Sequence, residues 1–114
     1  MKNNRYVDYV LDLLSPLGNI KARSMFGGHG IYRDGIFFAL IADDILYFKV
    51  DDLNRSAYQA QGCKPFTYEG KNGKVVAMSY WEVPVDVLED YNMLEQWVAG
   101  AVAAARRSKK PGKK

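Results

Sequence analysis

His29 and Cys63 are the single histidine and single cysteine of this 114-residue chain. One imidazole cannot complete a two-histidine metal site, and one thiol makes neither a multi-cysteine zinc site nor an intramolecular disulfide. His29 has two readings, a chemical group or a turn imidazole exposed to solvent. Ser24 lies five residues before it, but the Gly-x-Ser-x-Gly turn that presents a serine nucleophile does not occur. Cys63 precedes Lys64, whose charge favours the thiolate. The other reading of Cys63 is a small, unreactive loop or core residue.

The run Gly27-Gly28-His29-Gly30, with Arg23 and Arg33 on either side, is a candidate anion or partner site. Consecutive glycines can turn backbone N–H groups toward an anion, and arginines add charge. Phosphate loops of the common kinds lead into a helix, however, whose N-terminus completes the site. Here the glycines lead into Ile31-Tyr32-Arg33, which reads as a strand. A bulge or tight bend between strands is therefore the competing reading.

The other charged feature is the end of the chain, RRSKKPGKK. Arg106, Arg107, Lys109, Lys110, Lys113 and Lys114 are six of the 16 cations, and no acid lies among them. The formal charge of +3 thus divides into an acidic body, residues 1–105, and a basic tail, residues 106–114. Such a tail cannot bury an apolar face and is expected to be disordered past Arg107, with Arg106 and Arg107 favourable at a helix C-terminus. Six phosphate contacts would give non-specific DNA binding with a salt slope of about −5. A solvated solubility tail is the other reading.

Aromatic residues are plentiful, with eight Tyr, five Phe and two Trp. Beside Lys and Arg on one sheet face they could stack bases, although no RNP signature is present. Phe37-Phe38 and Tyr47-Phe48 each place one ring on either face of a strand. Core or hairpin cross-strand packing is the more ordinary reading of such rings. Overall, the residues specify no catalytic group, metal or cofactor. The apolar start of the chain is broken by Asp8 and Asp12, and no run of about 18 apolar residues exists. With one cysteine, a reducing, cytoplasmic setting is expected, with no membrane span.

These residues must be positioned by a small set of elements. Val7, Val10, Leu11 and Leu14 make one helical stripe, ended by Ser15-Pro16 and Gly18. Strands follow over 20–26, 31–33, 36–42 and 45–50, with hairpin turns at Asp34-Gly35 and Asp43-Asp44. Asp51 and Asp52 are candidate caps for a short helix to Gln61, closed by Gly62, with Leu53, Ala57 and Ala60 as its apolar side. A further hairpin turns at Asn72-Gly73. After Pro84 a last helix carries Leu94, Trp97, Val98, Ala101 and Ala105 on one face. Consecutive hairpins with flanking helices predict an α+β two-layer sandwich, an antiparallel sheet with helices packed on one side. A homodimer through a sheet edge or aromatic surface is compatible with this plan.

Four ordered segments carry a resemblance. They are Arg23-Ser24-Met25-Phe26-Gly27-Gly28-His29-Gly30-Ile31-Tyr32, Leu46-Tyr47-Phe48-Lys49-Val50-Asp51, Pro65-Phe66-Thr67-Tyr68 and Met78-Ser79-Tyr80-Trp81-Glu82-Val83-Pro84. Together they resemble the N-terminal domain of the TfoX/Sxy family, from roughly Tyr6 to Ala105. The resemblance implies an antiparallel α+β domain in a bacterial cytoplasmic protein that regulates natural competence, DNA-uptake genes and transcription. It implies a co-regulator working with the cyclic-AMP receptor protein, not an enzyme, and carries over no catalytic residue. Competence regulators of this family have a second, C-terminal helical domain, where this chain has its lysine-rich end.

Overall fold

A computed structural model describes residues 5–25 and 28–108. Six strands form one antiparallel sheet: β1 (Ile20–Met25), β2 (Gly28–Arg33), β3 (Ile36–Ala42), β4 (Ile45–Lys49), β5 (Pro65–Glu69) and β6 (Val75–Glu82). Their spatial order is β1-β2-β3-β4-β6-β5, so the last hairpin turns back and puts β6 beside β4. Four α-helices accompany the sheet: α1 (Arg5–Leu14), α2 (Arg55–Ala60), α3 (Val85–Leu88) and α4 (Tyr91–Ser108). The α+β class expected from the hairpin spacing is the one observed.

Local chemistry explains the strand connections. Asp34 and Gly35 have φ of 51° and 81°, Asp43 and Asp44 of 52° and 60°, and Asn72 and Gly73 of 66° and 72°. Two successive positive φ values match the right-handed twist of the strands they join, and Asp, Asn and Gly tolerate them best. The register between β2 and β3 shifts after Ile31, pairing Ile31 with Ala39 but Tyr32 with Phe37. Phe38 is the extra residue of this bulge, and Phe38 and Ala39 are both fully buried.

One face of the sheet holds the core. Ile31, Phe38, Ala39, Ile41, Leu46 and Phe48 from the strands, with Val50 just after β4, join Val7, Val10 and Leu14 of α1 and Leu94, Val98, Ala101, Val102 and Ala105 of α4 in a single cluster. Burying side chains such as Leu94 and Val98 stabilises the fold by about 1.5–3 kcal/mol each. The small Ala101 and Ala105 let α4 lie close over the sheet. Asp90 caps α4, its Oδ1 accepting the N–H of Met93 at 3.1 Å.

One expectation changes. The helix after Asp51 starts at Arg55, and its buried residue is Tyr58; Leu53 is 74% exposed, and Ala57 and Ala60 also face solvent. The aromatic ring removes more apolar surface from water than two alanines can, and it sets the helix rotation. The last helix runs to Ser108 with Arg106 and Arg107 in its final turn, as expected for cations at a helix C-terminus. Their positive charges suit the C-terminal end of the dipole. Lys109, Lys110, Lys113 and Lys114 lie outside the described residues.

The glycines of β2 have packing roles. A Cβ on Gly28 would sit 2.2 Å from the carbonyl oxygen of Ile41, whereas one on Gly30 would meet Met25 Cε at 2.8 Å and Phe37 Cε1 at 3.0 Å. Backbone cannot yield as a methionine tip can. Gly28→Ala is therefore expected to cost more than Gly30→Ala, about 3 against about 1 kcal/mol in urea unfolding. Adding Met25→Ala should recover part of the second loss and none of the first.

Candidate functional site

The register separates the two arginines of the candidate anion site. Arg23 pairs with Gly30 midway along the β1–β2 pairing, and Arg33 pairs with Ile20 at one end of it. Strand alternation puts the two arginines on opposite faces. Arg33 packs under Gly18, where a Cβ would be 3.1 Å from its Nε. Gly28 and Gly30 belong to β2, where Gly28 approaches the β3 backbone and Gly30 makes room for side chains; Gly27 lies outside the described residues. Among the sequence candidates, the structure thus favours close strand packing at these glycines over an arginine-lined cradle. His29 pairs with Ser24 and Ile41 inside the sheet.

Cys63 fits the second of its two readings, an unreactive cysteine. Burial, and then the charge of Glu82, push its thiol above the usual range despite the neighbouring Lys64. Beneath it lies Tyr58, 1% exposed, with its ring 4.3 Å from Trp97 and 6.4 Å from Trp81. Among the described residues the buried Tyr58 hydroxyl has no hydrogen-bond partner, and burial raises its pKa strongly. Among the described residues no cluster of His, Cys, Asp or Glu could hold a metal ion.

Arg107 is engaged within the fold. Its Nε and Nη2 both donate to the Asp51 carboxylate, the second at 2.9 Å. Asp51 Oδ1 also accepts the N–H of Leu53 at 3.0 Å, while the Asp51 N–H donates to Asn54 Oδ1 at 2.7 Å. Asn54 Nδ2 in turn donates to the Lys49 carbonyl at 3.1 Å. This network ties the end of α4 to the connection between β4 and α2. It takes Arg107 from the cations available to phosphate, and Arg106 is exposed beside it. The aspartate was read as a helix cap; a partner 56 residues away left no local signal for the pairing.

The helix-free face of the sheet is where side chains converge. In direct register across it run Lys21 with Tyr32, then Tyr32 with Phe37, and Lys49 with Tyr80. The Tyr32 and Phe37 rings lie 5.3 Å apart, Phe37 and Tyr80 5.4 Å apart, and Lys49 Nζ stands 5.1 Å over the Tyr80 ring. Lys49 Nζ also donates to Ser79 Oγ at 2.7 Å. A second line pairs Arg23, Gly30, Leu40, Tyr47 and Glu82 in turn, with Phe66 5.0 Å from Tyr47. Burial lowers the Lys49 pKa against the opposing pull of Asp51, and raises Tyr80 to about 12 with help from Tyr32. The sequence separates Phe37 from Phe38 and Tyr47 from Phe48 by face, and the structure does the same. Phe38 and Phe48 enter the core cluster, and Phe37 and Tyr47 pack across strands on the other face.

The described residues thus form a small α+β domain, an antiparallel sheet with one helical layer. The family model of the TfoX N-terminal domain matches residues 12–105, and the chain belongs to that family. It is 28% identical over 72 residues to DNA transformation protein TfoX1 of Aliivibrio fischeri, covering 63% of this chain and 34% of that one. It is 24% identical over 97 residues to DNA transformation protein TfoX of Haemophilus influenzae, covering 83% of this chain and 45% of the relative. The aligned part thus spans less than half of each relative. No helix among the described residues is long and apolar enough to cross a membrane.

Two outcomes follow from the buried groups. Tyr58→Phe removes a hydroxyl that lacks a partner and is expected to raise unfolding stability by about 1 kcal/mol, whereas Tyr58→Ala should cost about 3–5 kcal/mol. Arg107 holds the Asp51 carboxyl below the usual aspartate range, through the side-chain hydrogen bond first. A depressed carboxylate stabilises the fold above its unfolded pKa of about 3.9, and that contribution is lost as pH falls through the lowered folded value. Arg107→Gln should therefore lower the Tm at pH 7, with the gap to wild type closing in acid. Arg106→Gln should leave the Tm unchanged at both ends.

Proposed function

We propose that the chain is a non-enzymatic regulatory module of the TfoX/Sxy kind, a transcriptional co-regulator that acts through protein contacts. The observation that carries this reading is the family match over residues 12–105, which takes in the whole sheet, α2, α3, most of α4 and the end of α1. The relatives' names connect them with DNA transformation. The dispersal of Arg23 and Arg33 and the raised thiol pKa of Cys63 also favour contact over chemistry. By family resemblance the partner is the cyclic-AMP receptor protein, and the setting is the bacterial cytoplasm. Its contribution would be to change the promoter occupancy or activity of that factor.

Affinity purification from native lysate, with and without nuclease, tests this directly. A transcription factor should co-purify and survive nuclease, and deletion should lower transcripts of DNA-uptake genes. Recovery of no such factor, together with unchanged transcripts, would overturn the proposal.

A further inference from the structure

We propose that the helix-free face of the sheet binds single-stranded nucleic acid, with bases on Tyr32 and Phe37 and the backbone along Lys21, Arg23 and Lys49. This goes beyond the protein-contact reading and does not depend on it. The first argument is order. Across the strands the side chains run cation, ring, ring, cation, ring: Lys21, Tyr32, Phe37, Lys49 and Tyr80. Sheets that carry two or three accessible rings stack two or three bases of an unpaired strand, while nearby cations meet its phosphates.

Burial supplies the second argument. Tyr80 is 6% exposed beneath Lys49 and serves as a support, whereas Tyr32 and Phe37 are only partly covered. They stand outside the core cluster, so the packing that fixes Phe38 and Phe48 does not account for them. Gly30 contributes by its lack of a side chain, since Met25 and Phe37 lie over it and keep the platform low.

Charge is the third argument. Residues 1–105 contain ten cations and 13 acids, yet the paired rows of this face set Lys21, Arg23 and Lys49 against Glu82; of the acids near its edges, Asp43 reaches Tyr47, and Asp51, which reaches Lys49, is itself paired with Arg107. Asp43 and Asp44 lie at the tip of the β3–β4 hairpin, at the opposite end of β4 from Lys49. The sheet face is thus locally positive on a body that is negative, which complements a polyanion. Flat, adjoining rings suit planar bases, and an acidic peptide would use the cations without needing the row of rings.

Fluorescence anisotropy on the full chain would decide it, using a labelled oligothymidine and an oligouridine of about twelve nucleotides, and a duplex of equal length. Tyr32→Ala and the double variant Lys21→Glu, Arg23→Glu change exposed or partly exposed positions, and circular dichroism would verify their folding. Single strands should bind more tightly than duplex, and each variant should weaken them about tenfold or more while changing duplex binding less than about twofold. Equal binding of single strand and duplex, unmoved by either variant, would overturn the proposal. So would equally tight binding of polyglutamate, or a dimer in sedimentation that Tyr32→Ala dissolves.

Discussion

The packing of α4 across β3 and β4 is the contact on which the rest of the structure depends. Its Leu94, Val98, Ala101, Val102 and Ala105 close over Phe38, Ala39, Ile41 and Phe48 and remove one face of the sheet from water. With one helical layer, the other face must satisfy itself by side chains lying flat on the strands. That requirement places Tyr32, Phe37, Tyr47, Phe66 and Tyr80 together and lets Lys49 lie over a ring. The core and the candidate surface are therefore two results of the same one-sided burial.

The termination of α4 follows from the same arrangement. Because the helix crosses the central strands, its last turn arrives beside the segment leaving β4, and Arg107 meets Asp51 there. Asn54 and Asp51 hold that segment in place before α2 turns Tyr58 inward against Trp97 and Trp81. A residue that composition places in a basic tail is in this way part of the body.

Much of this plan is legible in local chemistry. Asp-Gly, Asp-Asp and Asn-Gly pairs mark hairpins because few other residues accept two positive φ values in succession. The stripe Val7, Val10 and Leu14 marks α1, and the adjacent aromatic pairs separate correctly by face. Non-local features leave weaker traces. The Phe38 bulge depends on what two neighbouring strands must bury, and the insertion of β6 between β4 and β5 depends on sheet assembly. Arg23 and Arg33 look close because they are ten residues apart, but antiparallel register sets them three residue pairs apart on opposite faces. The basic-aromatic row is equally hidden, since its members come from five strands and only the register aligns them.

Solvent paramagnetic relaxation enhancement of aromatic ring protons, measured by NMR with a soluble neutral paramagnet, tests the central claim that only one face is covered. The rings of Tyr32 and Phe37 should relax strongly, while those of Phe38, Phe48 and Tyr58 should be protected. Equal protection of Phe37 and Phe38 would mean that both faces are buried, and would contradict the account.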